Sequence, residues 1–370
     1  MRRGELQAKL ETAFGALARD DAPGFAVLLK QNGDVLFREG FGVRDLRTKA
    51  KIDLQTNFRL ASCTKQFTAM AIMLLVGDGR LRYDETLTAI FPGFPSYGSA
   101  ITVRTLLNHT SGLADYEDLM DEVEKRTGRK TWSAERQITD HEVFRLLEGA
   151  TQGKFAPGSQ WEYSNSGYVV LGLIVQKRSG QSFGDFLQKR IFAPLEMKHT
   201  LVFEKGRNRV ANRAYGHSRL PARPDRGFGE TDQSSTSATE GDGGVYSNLE
   251  DLSRWDDALK NHKLLGEEEF RQAITPAALP PGAGQKLAAD APESLRSRAV
   301  SYGFGWFLDL KPPDPLMWHY GETVGFKTAI LRHLGSNVTV IVLANRQDLD
   351  AGAIALEAAR ALATGPRPSP

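Results

Sequence analysis

The stretch GFAVLLKQNGDVLFREGFG, residues 24–42, decides the fold, because it has the pattern of two β-strands joined by a tight turn. Apolar residues fill both runs, and Asn32-Gly33 stands between them. Asn-Gly suits a two-residue hairpin turn, in which both central residues take a positive φ. The sequence therefore predicts that an antiparallel sheet begins near residue 24.

Three more strand-like runs lie near the other end of the chain: YGFGWFLDL, GFKTAILRHL and NVTVIVLANR. The last two are joined through Gly335-Ser336-Asn337, and a long alanine-rich helix follows over roughly residues 350–363. Between the two ends, the segments carry helical spacing with glycine or proline stops. We expect strands from both ends to pair.

The resulting prediction is an α+β protein, with an antiparallel sheet built from both chain ends and flanked by helices. Residues 1–60 and 295–365 form the sheet lobe. Residues 61–294 form an inserted, mostly helical lobe with loops, and residues 366–370 form a disordered tail. The two lobes make one catalytic unit, because a cleft between lobes is a usual place for a ligand.

Composition points to a small-molecule partner. The 47 Lys and Arg residues nearly balance the 45 Asp and Glu residues, which disfavours nucleic acid or a membrane surface as partner. A single cysteine, Cys63, excludes an intrachain disulfide. No apolar stretch is long enough to span a membrane, and the N-terminus lacks a signal-peptide pattern. A cytoplasmic location is expected, unless a signal peptide was removed; the oligomeric state stays open.

The stretch LASCTKQFTAMAIMLLV, residues 60–76, places a lysine three residues after a serine. On a helix that begins at Ser62, Lys65 lies one turn away on the same face. The helix N-terminus favours an alkoxide, and burial by the apolar run would lower the pKa of the lysine. These are the elements of a Ser–Lys nucleophile. An N-cap serine beside a solvated lysine is the alternative.

Two further stretches carry polar residues of catalytic type. In PGSQWEYSNSGYVVLGLIV, Tyr163 and Asn165 project from one turn, and a cationic Lys65 would make the phenolate of Tyr163 accessible as a proton relay. In MWHYGETVGFKTAILRHL, Gly321 allows close approach to a substrate. The N–H of Glu322 would join that of Ser62 in an oxyanion hole. The alternative for the first stretch is an aromatic core residue beside a helix-capping Ser/Asn cluster, and for the second a structural role for His319.

Three motifs, taken in chain order, resemble the signature motifs of the serine β-lactamase and penicillin-binding-protein-like superfamily. They are Ser62-x-x-Lys65, Tyr163-x-Asn165 and His319-x-Gly321. Segments such as TVRTLLNHTSGLADY and GDGGVYSNLEDLSRW extend the likeness over roughly residues 20–345. The Tyr-Ser-Asn motif is similar to that of class C β-lactamases, D,D-peptidases, D-aminopeptidases and family VIII carboxylesterases. The resemblance implies a β-lactamase/transpeptidase-like fold with its active site between the lobes.

The resemblance also implies roles for the matched residues. Ser62 is the acylated nucleophile, and Lys65 and Tyr163 are a coupled base and acid whose order of proton transfer stays open. Asn165 binds a substrate amide or orients the lysine. No metal or organic cofactor is implied. The expected substrate-binding residues are Asn165, His319, Gly321, Glu322, Tyr320 and Tyr116.

The third motif departs from the family pattern. His-Tyr-Gly stands where these β-lactamases usually carry Lys-Thr-Gly and the peptidases often His-Thr-Gly, whose cation and small hydroxyl hold a substrate carboxylate. Tyr320 therefore favours small carboxylic esters as substrates, although Lys327 offers another cation. The alternatives are a β-lactamase or D-amino-acid peptidase or amidase, and a non-catalytic binding or assembly protein on the same fold.

Several other polar residues are assigned structural roles. Asp115 lies, like Tyr116, where family members line the cleft, with a plain loop as the alternative. Glu240 and Asp242 are interpreted as turn residues in a glycine-rich segment. His109 is expected to brace a helix end.

Overall fold

A computed structural model describes residues 3–220, 227–283, 291–296, 298 and 300–363 of the chain. The predicted tail, residues 366–370, lies outside these residues. The helices are α1 (Arg3–Gly15), α2 (Lys65–Gly77), α3 (Leu87–Ile90), α4 (Val103–Leu107), α5 (Tyr116–Thr127), α6 (Asp140–Glu148), α7 (Asn165–Ser179), α8 (Phe183–Leu187), α9 (Leu249–Lys260), α10 (Glu267–Arg271) and α11 (Ala351–Ala363). The strands are β1 (Phe25–Gln31), β2 (Asp34–Phe41), β3 (Val43–Asp45), β4 (Ala50–Lys51), β5 (Phe58–Arg59), β6 (Leu201–Val202), β7 (His217–Arg219), β8 (Phe228–Glu230), β9 (Val245–Ser247), β10 (Ser301–Tyr302), β11 (Phe307–Asp309), β12 (Leu316–Thr323), β13 (Phe326–His333) and β14 (Val338–Ala344).

The central sheet has the strand order β10-β11-β12-β13-β14-β1-β2, and all its neighbours are antiparallel. Strand β1 pairs with β14 from Phe25 opposite Ala344 to Gln31 opposite Val338. The N-terminal strands thus complete a sheet whose other five strands come from the C-terminal part. This pairing confirms the α+β class and the sheet built from both chain ends; the exact domain boundaries stay a prediction.

Two turns show how local sequence shapes the sheet. Asn32 and Gly33 join β1 to β2 with φ of 56° and 95°, which confirms the predicted Asn-Gly hairpin. The run YGFGWFLDL was expected to be one strand, but it folds into two short strands, β10 and β11, that pair with each other. Its glycines explain the turn: Gly305 has a φ of 76°, and a Cβ on Gly303 would lie 1.9 Å from the carbonyl oxygen of Ala273.

Both faces of the sheet are buried. Helices α1 and α11 cover one face, where Trp318 and Tyr320 of β12 join their apolar cluster. The inserted lobe covers the other face, where Ile330 and Ile341 pack with residues of α2 and α7. Since side chains alternate along a strand, His319 and Gly321 face the inserted lobe. None of the helices in the described part of the chain combines the length and apolar character needed to cross a membrane.

Candidate active site

Ser62 lies in a 3₁₀ turn, Ala61–Thr64, that runs directly into α2. The helix was expected to begin at Ser62, but its first α-helical residue is Lys65. Neither helix has a side chain capping its first turn, so Ser62 is not an N-cap. Ala61 has a φ of 48°, a conformation that a residue with a side chain adopts only when its surroundings enforce it. Backbone strain therefore lies next to the candidate nucleophile.

Lys65 is fully buried, and its ammonium group is surrounded by oxygen atoms. Its Nζ donates to Ser62 Oγ at 3.1 Å, to Asn165 Oδ1 at 2.8 Å and to the carbonyl oxygen of Asp242 at 3.0 Å. An ammonium group has three donors, and these oxygens match them in number. The alternative of a solvated lysine is therefore wrong.

Tyr163 lies beside this lysine. The Nζ of Lys65 is 4.9 Å from the centroid of the Tyr163 ring. The ring is nearly parallel to that of Phe307, with centroids 6.0 Å apart, and its centroid is 4.4 Å from that of His109. Tyr163 as a whole is only partly buried, but its hydroxyl oxygen is buried at the site and its ring is supported by Phe307 and His109.

Asn165 is the first residue of α7 and reaches Lys65 from there. Ser164 caps the helix, because its Oγ accepts a hydrogen bond from the N–H of Gly167 at 3.2 Å. The N–H of Asn165 donates to Asp115 Oδ2 at 3.1 Å, and the other oxygen of Asp115 accepts from the N–H of Glu117 at the start of α5. The amide of Asn165 therefore orients the lysine, one of the two roles expected for it.

Gly321 brings β12 against the nucleophile turn. A Cβ at this position would lie 2.1 Å from the carbonyl oxygen of Leu60 and 2.3 Å from Thr328 Oγ1. The glycine allows the strand to approach the segment that carries Ser62, and its expected approach to a substrate stays a prediction. No larger residue fits there without moving backbone.

The register of β12 with β13 orients the N–H of Glu322. Thr323 pairs with Phe326 across a two-residue turn, so these two residues exchange ladder hydrogen bonds. In an antiparallel pair the next residue points its N–H the other way, so the N–H of Glu322 faces away from β13. Strand β11 pairs with β12 only as far as Trp318, and this edge stays uncovered by β11. The orientation is compatible with the predicted oxyanion role of Glu322.

Three side chains expected to contact substrate are buried instead. His319 is fully buried; its Nδ1 lies 2.6 Å from the carbonyl oxygen of Tyr320 and its Nε2 lies 3.0 Å from the hydroxyl of Tyr302. Burial, with the charge of Lys65, lowers the pKa of His319 to about 3, so the imidazole is neutral. Tyr320 is 4% exposed and packs on the α1 and α11 side of the sheet.

Tyr116 is the third of these corrections. It is 2% exposed, and its hydroxyl donates to Asp242 Oδ2 at 3.2 Å, so it supports the loop behind Lys65 rather than a substrate. That loop also supplies a contact that the sequence does not reveal: the carbonyl oxygen of Asp242 binds the lysine. A backbone carbonyl has no signature in sequence. The capping aspartate Asp115 was detectable, because it directly precedes a helical run.

The site lies at the junction of an antiparallel sheet and a helical insert. It contains a buried lysine that is hydrogen-bonded to a serine and lies beside a tyrosine. These features define a serine hydrolase of the Ser-x-x-Lys class. Residues 8–364 match the family model described as Beta-lactamase, and the chain belongs to that family.

Known relatives agree with this assignment. Penicillin-binding protein 4* of Bacillus subtilis (strain 168) is 32% identical over 350 residues, which cover 92% of this chain and 72% of that protein. Protein flp of Staphylococcus aureus (strain MW2) is 26% identical over 89% of this chain, which spans only 61% of flp. The D-amino acid amidase of Ochrobactrum anthropi SV3, solved with L-phenylalanine amide, is 25% identical with a TM-score of 0.75, and covers 96% of this chain and 100% of its own.

Proposed function

We propose that this protein hydrolyses small carboxylic esters through an acyl-enzyme on Ser62. The observation that carries the proposal is the 3.1 Å contact between Lys65 Nζ and Ser62 Oγ inside a buried site. In this proposal Lys65 and Tyr163 act as one proton-transfer unit, because the ammonium group lies 4.9 Å from the centroid of the tyrosine ring.

The reaction has two halves. In the first, Ser62 Oγ attacks the ester carbonyl carbon while its proton passes to the Lys65–Tyr163 pair, and the pair returns that proton to the departing alkoxide. In the second, the pair takes a proton from water, hydroxide attacks the acyl carbon, and Ser62 Oγ leaves with the proton. The N–H groups of Ser62 and Glu322 bind the oxyanion in both halves.

The charges around the third motif support a substrate without a free carboxylate. His319 is neutral and buried, so it supplies no cation. Lys327 forms an ion pair with Glu322, and both side chains share the face of Tyr320, towards α11. Neither cation that the sequence offered is therefore free to hold a carboxylate such as that of a penicillin or a D-alanyl peptide.

Hydrolysis of D-amino-acid amides is the second candidate. Such a substrate also acylates Ser62 through a neutral carbonyl group, and it carries no carboxylate. The D-amino acid amidase of Ochrobactrum anthropi, similar over 96% of this chain, supports this candidate. The same serine chemistry then releases ammonia in place of an alcohol.

The test is a rate comparison on p-nitrophenyl butyrate, D-phenylalanine amide and a chromogenic cephalosporin. We expect the ester to have the highest kcat/KM, and Ser62→Ala to reduce its turnover by roughly 10³-fold or more. Ser336→Ala, in the β13–β14 turn, is the matched serine control and should keep full activity. A higher kcat/KM for the amide or for the cephalosporin would instead support that substrate class.

The non-catalytic alternative is tested on the same protein. A fluorophosphonate probe should label the wild type and the Ser336→Ala variant but not Ser62→Ala. The binding or assembly role would be supported by two results together: equal ester turnover by wild type and Ser62→Ala, and absence of labelling in folded protein.

A further inference from the structure

His109 holds the backbone on both sides of Tyr163. Its carbonyl oxygen accepts a hydrogen bond from the N–H of Glu162 at 3.0 Å. Its Nδ1 accepts one from the N–H of Ser164 at 3.1 Å. One residue, two positions past the end of α4, therefore holds the residue before and the residue after the candidate proton-transfer tyrosine.

The His109 ring also supports the Tyr163 ring. Their centroids are 4.4 Å apart with an interplanar angle of 37°, and Phe307 supports the tyrosine ring as well. Because Lys65 Nζ lies 4.9 Å from the same ring, a small rotation of Tyr163 would change its distance to the ammonium group. Proton transfer depends on such distances.

His109 is costly for the fold, which argues against a role in packing alone. It has a φ of 61° although it is not glycine. It is 1% exposed, and its Nε2 has no hydrogen-bond partner among the described residues. A buried polar group without a partner costs roughly 1–3 kcal/mol. An apolar side chain would avoid that cost but would lack an acceptor for Ser164.

The contact with Ser164 requires a neutral imidazole. An Nδ1 that accepts a hydrogen bond carries no proton, so the proton is on Nε2. Burial, together with the charge of Lys65, keeps the pKa of His109 well below its ordinary value. The imidazole is therefore neutral at pH 7, and its Nδ1 stays an acceptor.

We propose that His109 is a positioning residue that holds Tyr163 beside the Ser62–Lys65 pair. It does so through two acceptors: its carbonyl oxygen binds the N–H of Glu162, and its Nδ1 binds the N–H of Ser164. The proposal rests on the proposed function, because it assigns His109 to the same acyl-transfer site. It gives this histidine a task beyond bracing a helix end.

The test compares two substitutions that differ in the acceptor. His109→Leu removes Nδ1. His109→Asn keeps an acceptor oxygen at nearly the same position and tolerates a positive φ. His333→Leu is the matched control. His333 is a largely buried histidine at the C-terminal end of β13, and the opposite end of that strand lies beside Glu322 of β12. Stopped-flow acylation by p-nitrophenyl butyrate, steady-state kcat and KM, and Tm are measured for each variant, with Tyr163→Phe as reference.

We expect His109→Leu to lower the acylation rate and kcat by about 10²-fold with KM changed by less than about threefold, as for a misplaced catalytic group. His109→Asn should stay within about tenfold of the wild type, and His333→Leu should match it in rate even if its Tm falls. Wild-type acylation by folded His109→Leu would overturn the proposal.

If His109→Leu does not fold, His109→Asn decides alone: a loss as large as that of Tyr163→Phe overturns the proposal, and a loss below about tenfold supports it. The two hypotheses fail differently. Full turnover by Ser62→Ala overturns the proposed function and this inference with it. Inactive Ser62→Ala beside fully active His109→Leu overturns only the inference.

Discussion

At the scale of single residues, the site is organised around the hydrogen bonds that compensate the buried charge of Lys65. Lys65 is bound by a hydroxyl, a side-chain amide oxygen and a backbone carbonyl. Fixed dipoles such as these replace water around the ammonium group, and burying it without them would cost several kcal/mol. The same contacts aim the lysine at Ser62, so solvation and catalysis use one geometry.

Gly321 gives the sharpest prediction at this scale. In Gly321→Ala the new Cβ would lie 2.1 Å from the carbonyl oxygen of Leu60, so β12 or the nucleophile turn must move. We expect a loss of roughly 1–3 kcal/mol of unfolding free energy and at least about a tenfold loss of kcat on p-nitrophenyl butyrate. Urea unfolding and steady-state kinetics measure the two effects.

Gly77→Ala is the control for this substitution. Its Cβ would meet only the Leu265 side chain, at 3.7 Å, within helix α2. Alanine favours a helix over glycine, so stability should stay equal or rise. Unchanged stability and rate in Gly321→Ala would contradict a contact between β12 and Leu60 that leaves no room for a Cβ.

At the scale of elements, an ion-pair network fastens α9 to the sheet. Asp256 of α9 accepts from Arg332 Nε at 2.8 Å and lies 3.1 Å from the Nζ of Lys30, and Thr339 donates to it as well. Lys30, Thr339 and Arg332 are neighbours across β1, β14 and β13. Burial alone would raise the pKa of Asp256, but Arg332 and Lys30 outweigh it and lower that pKa.

Removing the charge of Asp256 should therefore loosen the helix from the sheet. Asp256→Asn leaves two buried cations under-compensated, and we expect a loss of about 3–5 kcal/mol in unfolding free energy, measured with urea at pH 7. Asp257→Asn is the matched control, since Asp257 also pairs with Lys30 but its side chain is 37% exposed. The control should lose about 1 kcal/mol or less. Equal losses in the two variants would contradict this account.

At the scale of the whole molecule, carboxyl groups behind the active site make stability depend on pH. Glu240 lies in the loop that also supplies the Asp242 carbonyl, and its N–H donates to Asp140 Oδ1 at 2.9 Å. Burial, with the charge of Glu204, raises the pKa of Glu240 to about 7, against a partial opposing effect of Arg207. Burial also raises the pKa of Asp140.

A raised carboxyl pKa means that the folded state binds the proton more tightly than the unfolded state. Its contribution to stability is complete below the ordinary pKa of 4.5 and is lost as the pH rises to about 7. Glu240→Gln removes that loss. We expect this variant to gain on the order of 1–3 kcal/mol relative to wild type between pH 5 and pH 8.

Thermal unfolding at the two pH values measures this gain. Glu267→Gln, a change at an exposed residue of α10, is the control and should show no such trend. A stability difference between Glu240→Gln and wild type that stays constant from pH 5 to pH 8 would refute the assignment to Glu240.

Local signals in the sequence predicted many of the elements and the serine–lysine pair that the structure brings into contact. The Asn32-Gly33 turn, the spacing of Ser62 and Lys65, and the helix signals after Tyr163 depend on neighbours within a few residues, and such patterns are visible in a single chain. They located the strands at both chain ends and the contact between Ser62 and Lys65.

The directions of the side chains on β12, and of Tyr116 in α5, depended on the tertiary structure. His319, Tyr320 and Tyr116 were expected at the substrate, and all three are buried. A sheet covered on both faces loses the alternation of apolar and polar residues that tells one face from the other. The contact of His109 with Ser164 also depended on the tertiary structure, because the two residues are 55 positions apart in the chain.

By itself, the sequence determined the strands, the Asn-Gly hairpin and the spacing of Ser62 and Lys65, because turn and helix-spacing preferences act locally, and its motifs indicated a serine hydrolase of the β-lactamase family. Only the tertiary structure decided that the third oxygen on Lys65 is a backbone carbonyl of Asp242, and that His319 is a neutral core residue. Both follow from contacts between distant segments, which set burial and charge compensation and which no local pattern encodes.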